Sequence, residues 1–310
     1  MKRHRTLNSV PFAYDEGVSM IRVIASDMDG TLLNEEHMLN ERTITAIKAA
    51  QKEGIRFIIS TGRSFKQVMH VMKNVGITCD YIVNSGAEIR NADNEILQSS
   101  CMNMRDCKAT YEVLKKYNVT CLFTTDEMDY YIGSLKEREQ ELIEHIRLFQ
   151  PNLSETEIRG SELFLFLTMN TIGVSSFDEL EALNPRIIKV FAMANDLGVL
   201  KKIDAELQKN SNLAVASSFA NNIEVTDKNA QKGIALKNYI ESLGYTMDEV
   251  MVFGDSMNDY SMLSMNFGVT IAMENGMKKI KDAAKYVTKS NAEDGVAYVI
   301  EELLSKYLEL

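Results

Sequence analysis

Apolar and polar positions along this chain change their period twice, and the changes divide it into three stretches. The run 21–26 is short and, apart from Arg22 and Ser26, apolar, enough for a buried strand. A helix follows, opening at Asn40 as N-cap and stopping before Gly54. The run 55–60 repeats the strand pattern, and Phe65, Val68, Met69 and Met72 then mark one face of a helix that ends by Gly76. Residues 81–83 make a third short strand. The same rhythm returns late in the chain. Leu236, Tyr239, Ile240 and Leu243 fall at helical spacing before Gly244, and 250–253 is a buried strand. A short helix near Tyr260, a strand at 268–272, a helix at 277–284 and a strand at Tyr286 and Val287 come next. The last helix carries Val296, Val299, Ile300, Leu303, Leu304 and Tyr307 on one stripe. Because parallel strands need helical crossovers, this alternation predicts an α/β fold: a Rossmann-like, doubly wound parallel sheet with helices on both faces.

Between these stretches the texture differs. Strand candidates succeed one another like a hairpin at 119–125 and 130–133, with helices at 104–117 and 134–149. This predicts an inserted α+β domain over 88–217, leaving 20–87 and 218–310 as the core. Residues 1–19 mix basic and polar types without period and read as a disordered extension. The apolar run Leu163, Phe164, Leu165, Phe166, Leu167 reads as a buried strand of the insert, and Tyr130 and Tyr131 should alternate across their strand.

Composition narrows the function. A length of 310 residues suits two domains better than one core. The formal net charge of -10, with no run of Lys and Arg, argues against a nucleic-acid partner. The longest apolar cluster is far short of the ~20 residues that a membrane span needs. Cys79, Cys101, Cys107 and Cys121 match no zinc-ligand spacing, and with no signal-peptide pattern they read as reduced thiols of a cytoplasmic protein. His4, His37, His70 and His145 are scattered and pair with no Ser or Cys in a nucleophile context. Oligomeric state is not legible in the sequence.

Ligands of open parallel sheets bind outside the carboxyl ends of the strands, so the residues that follow each strand carry the chemistry. After the first strand stand Asp27 and Asp29, two carboxylates that can project into one crevice as nucleophile and proton donor, although Asp and Gly there also make ordinary turns. After the second stand Thr61 and Gly62, a hydroxyl and an amide placed for an anion at a helix N-terminus, where Ser and Thr are also common as plain caps. Lys232 sits in the first turn of a later helix, poorly placed against the dipole unless it serves an anion, with a solvated surface lysine as the plain alternative. After the strand at 250–253 come Asp255, Asn258 and Asp259, oxygen donors that suit a hard divalent cation. An acidic protein doing phosphate chemistry would need a metal, a lysine or helix N-termini to offset its repulsion of an anionic substrate.

In order and context these segments resemble the haloacid dehalogenase superfamily of phosphohydrolases, in its Cof-like branch, over 21–307. The first motif is matched by Asp27-Met28-Asp29-Gly30-Thr31-Leu32, the second by Thr61-Gly62-Arg63, the third by Lys232-Gly233, the fourth by Gly254-Asp255-Ser256-Met257-Asn258-Asp259. Ala272-Met273-Glu274-Asn275 and the stretch from Ser290 to Ala297 match weaker hallmarks. One departure is Ser85-Gly86-Ala87, where the branch has Asn-Gly-Ala; Asn84 stands one place early. The resemblance implies a Mg²⁺-dependent phosphatase of small phosphorylated metabolites, sugar phosphates especially, working through an aspartyl phosphate. It implies Asp27 as nucleophile and Asp29 as acid and base. Metal would be held by Asp27, Asp255, the carbonyl of Asp29 and Asp259, and phosphoryl oxygens by Thr61, Gly62, Lys232 and Asn258. The insert would be a cap that chooses the substrate. Two rivals stay open: a phosphomutase, and a non-catalytic Mg²⁺-dependent switch like a receiver domain.

Overall fold

The computed structural model describes residues 5–6 and 20–307. The extension read over 1–19 lies outside the described residues, except that Arg5–Thr6 (β1) pairs in parallel with the strand at Tyr286–Val287. The chain divides into two compact units, one of residues 1–100, 216–219 and 228–310, the other of 101–215 and 220–227.

Among the described residues the first unit is built on nine strands. Val23–Ser26 (β2), Arg56–Ser60 (β3) and Asp80–Val83 (β4) step outward in one direction. Val250–Gly254 (β13), Val269–Ala272 (β14) and Tyr286–Val287 (β15) step outward in the other, all parallel. The order reverses between β2 and β13, whose register pairs Ser26 with Phe253. That switch point opens a crevice at the strand ends.

Alternation of side chains explains the two helical layers. Ile24, Phe57, Ile59, Tyr81, Met251 and Phe253 point to one face and bury against helices Glu41–Lys52 (α1), Phe65–Met72 (α2) and Gly295–Tyr307 (α12). Val23, Ala25, Ile58, Ile82, Val250 and Val252 point to the other and meet Lys232–Ser242 (α9), Tyr260–Ser264 (α10) and Lys278–Ala283 (α11). A strand covered on both faces has no reason to alternate in polarity, so these segments read as unbroken apolar runs.

The expected start of the insert at residue 88 differs from what is found. Glu88–Arg90 (β5) and Ile96–Ser99 (β6) form a hairpin paired antiparallel to β4, so they extend the first sheet and the change of unit falls after Ser100.

The second unit carries a six-stranded sheet. Cys121–Thr124 (β7), Asp129–Ile132 (β8), Thr171–Val174 (β9), Lys189–Met193 (β10), Leu213–Ala216 (β11) and Asn222–Asp227 (β12) lie in the order β11-β12-β10-β7-β8-β9. One face packs on Met104–Lys116 (α3), Phe177–Leu183 (α7) and Leu197–Leu207 (α8). Tyr130 packs on that core while Tyr131, 3% exposed, lies on the opposite face and donates to Glu141 at 3.1 Å. The run 163–167 is not a strand. It lies in the helix Glu162–Met169 (α6), capped by Ser161 and packed with Glu155–Gly160 (α5) and Leu135–Phe149 (α4) through Phe164, while Leu163 and Leu165 are exposed. An unbroken apolar run has no period, so pattern alone could not separate a helix from a strand there.

Cys79, Cys101, Cys107 and Cys121 form no disulfide. Among the described residues, no helix is long and apolar enough to cross a membrane.

Candidate active site

Asp27 is the first residue beyond β2, and its amide donates to the carbonyl of Phe253 at 3.1 Å, which ties it to the neighbouring strand. The chain then turns sharply at Gly30, whose φ is +74°. A side chain there would bring Cβ to 2.5 Å from Oδ2 of Asp255, so glycine is required both for the backbone conformation and for the approach of the acid. Thr31 donates its hydroxyl to Oδ1 of Asp255 at 2.9 Å and fixes that carboxylate. Beyond β13, a short turn folds Asp259 back under the strand end. Its Oδ2 accepts from the amides of Asp255 and Ser256, each at 3.0 Å.

Lys232 opens α9 and is wholly buried. Its Nζ lies 2.5 Å from Oδ1 of Asp27 and 2.6 Å from Oδ1 of Asp259, so the ammonium joins two strand ends. A solvated surface lysine is thereby excluded, and its awkward position against the helix dipole is explained by its two anionic partners. Carboxylate oxygens of Asp27, Asp255 and Asp259 lie within 4.8 Å of one another.

Three carboxylates against one ammonium leave a formal excess of two negative charges in a buried place. The electrostatics respond. Burial, then the charge of Asp259, raises the proton affinity of Asp27 well above the carboxylate range, and Lys232 offsets this only in part. Burial and Asp259 likewise push Asp255 up to about 7, against the Thr31 hydrogen bond. Burial lowers the proton affinity of Lys232, but Asp259 and Asp27 outweigh it and the net shift is upward. Oxygen donors that repel one another and lack positive charge are the donor set a hard dication satisfies.

A pH dependence follows. Both raised carboxylates hold protons in the folded state that the unfolded chain releases, so stability of the metal-free protein declines as pH rises from about 4 through about 7. Thermal melts in EDTA are expected to show that fall, and added Mg²⁺ is expected to raise the melting temperature more at pH 8 than at pH 5. Equal Mg²⁺ shifts at both pH values would refute the assignment.

Asp29 does not join the carboxylate group through its side chain. Its oxygens accept a two-pronged pair from Arg63, Nε to Oδ2 at 2.7 Å and Nη2 to Oδ1 at 2.6 Å, and Nδ1 of His37 lies 3.6 Å from Oδ1. Burial raises its proton affinity, but the hydrogen bonds from Arg63 and His37 more than reverse this, leaving it below the usual carboxylate range. Neither Arg63 nor His37 stood among the expected site residues. Arg63 had a signal, since it directly follows Thr61-Gly62; His37 had none beyond a turn-like context.

Thr61 follows β3, the neighbour of β2, so it lies on the same edge of the sheet as Asp27. It is buried, and its Oγ1 accepts from the amide of Arg63 at 3.2 Å. The expected placement of Thr61 and Gly62 at a helix N-terminus is corrected. Ser64 is the N-cap of α2, its hydroxyl accepting from the amide of Gln67 while the Gln67 side chain accepts from the amide of Ser64, so the helix begins at Phe65. Asn258 sits in the turn after β13 with its amide donating to Ser217 and its Oδ1 accepting from Ser256. Asn275 and Asn291, from the weaker hallmarks, brace the first loop by donating to the carbonyls of Gly30 and Leu33 at 2.7 and 2.8 Å.

Comparisons with known proteins bear on the family of the chain. A profile of the haloacid dehalogenase-like hydrolases matches residues 24–300. The Bacillus subtilis protein YwtE, a 5-amino-6-(5-phospho-D-ribitylamino)uracil phosphatase, is 29% identical over 290 residues, covering 92% of this chain and 99% of its own. Phosphatase YwpJ of the same species is 29% identical over 291 residues, covering 92% and 100%. A solved haloacid dehalogenase-like hydrolase from B. subtilis superposes with a TM-score of 0.79 at 27% identity, over 91% of this chain and all of that one. With a matching profile over nearly its whole length, the chain belongs to the haloacid dehalogenase-like hydrolases, in their Cof-like branch.

Proposed function

We propose that the protein is a Mg²⁺-dependent phosphatase of small phosphorylated metabolites, sugar phosphates or similar phosphomonoesters, acting through an aspartyl phosphate on Asp27. The observation that carries this reading is the buried Lys232 ammonium bridging Asp27 and Asp259 at the carboxyl edge of a parallel sheet, with Asp255 alongside. Such a lysine pulls Asp27 toward its anionic form, against burial and the neighbouring acids, and leaves positive charge where a phosphoryl group would meet it.

In this reading an oxygen of Asp27 bonds to phosphorus in line with the ester oxygen, whose bond to phosphorus breaks, and the leaving alcohol takes its proton from Asp29. Asp29 then removes a proton from water, whose oxygen bonds to phosphorus and frees Asp27 with release of phosphate. The Arg63 fork holds Asp29 ionised, which suits the second half; for the first half the fork has to open so that Asp29 can carry a proton. Thr61, the Gly62 amide, Asn258 and Lys232 hold the phosphoryl oxygens. Mg²⁺ would be held by the side chains of Asp27 and Asp255 and the carbonyl of Asp29, with Asp259 helping directly or through water. Bound there, it supplies the positive charge that the carboxylate group lacks and draws electron density from the phosphoryl oxygens. The second unit takes the part of the substrate-selecting cap, and the name of YwtE, for a phosphoribitylamino compound, supports a phosphorylated polyol or sugar as substrate class.

The test is phosphate release from EDTA-treated protein, with and without Mg²⁺, across sugar phosphates, flavin mononucleotide and pyridoxal phosphate. Release from one or more of these only when Mg²⁺ is present is expected. No release from any would reject the reading, and conversion of a hexose phosphate to its isomer without free phosphate would assign a mutase instead.

A further inference from the structure

The turn after β4 is strained out of proportion to its length. Asn84, Ser85 and Gly86 take φ of +52°, +60° and +100° in succession. Among the described residues eight besides glycine have positive φ, and seven are Asn, Asp or His, the types that enter this region most readily; Ser85 is the eighth. Asn84 is also 2% exposed, and its Oδ1 has no hydrogen-bond partner. A conformation of this kind persists only where its surroundings impose it, and such strain collects at functional sites.

Both flanks of the turn touch the proposed machinery. On one side the Ser85 amide donates to the carbonyl of Thr61 at 3.0 Å and the Asn84 amide to that of Arg63 at 2.8 Å, so the loop Thr61–Arg63 is pinned at both ends. On the other side Gly86 lies against the start of α9. A Cβ on it would stand 2.5 Å from the carbonyl carbon of Gln231, 2.7 Å from its oxygen and 2.8 Å from the amide nitrogen of Lys232. These are backbone atoms and cannot rotate aside.

We propose that Asn84–Gly86 is a positioning element, locking the loop that carries Thr61 and Arg63 to the first turn of α9 so that Thr61 and Lys232 keep a fixed separation. This rests on the phosphatase reading for what the separation serves, though not for its existence. It also accounts for Ser85 at a left-handed position: the two amides and the glycine contact dictate the backbone, and the side chain follows. None of the three residues touches the reacting atoms in this role. They act through Thr61, Arg63 and Lys232.

The experiment compares Gly86→Ala with Gly54→Ala. Gly54 ends α1 at a similar φ, +79°, with nothing within 4 Å of the added Cβ, so it carries the backbone strain without the contact. Both variants are expected to melt below the wild type. Only Gly86→Ala is expected to lose kcat, by about 10- to 100-fold on correctly folded protein, because displacement of a positioned group by about 1 Å has that effect. Its crystal structure should show a lengthened Lys232–Asp27 contact or a broken Ser85–Thr61 hydrogen bond. A kcat within about twofold of the Gly54→Ala protein, with both contacts intact, would overturn the proposal. If Gly86→Ala does not fold, Ser85→Thr carries the test with the same two outcomes, since a branched side chain resists this φ. Should the wild type release no phosphate from any ester, the phosphatase reading fails and the two contacts in the variant structure still decide this one.

Discussion

Asp27→Asn is expected to lower kcat on the order of 10⁴-fold or more and, in the metal-free protein at pH 7, to raise the melting temperature. The two effects have one origin. An amide matches the carboxylate in shape and its oxygen can accept from Lys232, so the loop keeps its form, but it cannot bond to phosphorus as a nucleophile. The carboxylate it replaces is buried beside Asp259 and Asp255, and its proton affinity is raised despite Lys232. A raised carboxylate costs the folded state stability wherever the unfolded chain would ionise it, above the usual range near 4; an amide has no such term. Melting curves of the variant should therefore be higher than wild type at pH 7 and should depend less on pH. Single-turnover phosphate release measures the first effect, and melts in EDTA from pH 5 to 8 measure the second. Near-normal turnover would remove Asp27 as nucleophile. A lower melting temperature at pH 7 would mean that the ion pair with Lys232 outweighs the crowding of acids.

Much of this site could be read from the chain because its groups stand where strands end. Asp27 and Asp255 follow apolar runs long enough to cross a sheet, and the rule that ligands gather at those ends needs no side-chain geometry. Lys232 was legible for a different reason, since a cation in a first helical turn is out of place unless an anion meets it. What could not be read depends on how loops rotate. Arg63 reaches Asp29 only because the backbone after Thr61 turns before α2 begins, and the start of that helix is set by the Ser64–Gln67 pairing and not by Thr61. The hairpin of β5 and β6 escaped because Ile96 and Leu97 are both exposed, so no alternation marked a half-buried strand. α6 escaped because its apolar residues are consecutive, and only the packing of Phe164 tells which way they face.

Lys232→Met tests the same charges from the opposite side. The side chain is fully buried, and methionine fills a similar volume without the ammonium, so the change isolates charge. Two carboxylates, Asp27 and Asp259, then lose their shared partner inside the protein. Removing one member of a buried ionic group costs about 3–5 kcal/mol, which in a chain of this size is roughly 10 °C of melting temperature. The cost should shrink as pH falls, because the stranded carboxylates can take up protons, so the gap from wild type is expected to be wide at pH 8 and narrow at pH 5. Mg²⁺ should recover part of it by supplying charge to the same oxygens. Turnover is expected to fall by about 10²- to 10³-fold even at saturating Mg²⁺, the effect of losing one charged group aimed at a transition state. Arginine is not an equivalent replacement: a planar guanidinium needs space on more than one side, and Lys232 has no exposed surface into which it could extend. If Lys232→Met melts like the wild type at pH 8, the ammonium does not neutralise those two acids, and the electrostatic account of Asp27 as an activated nucleophile falls with it.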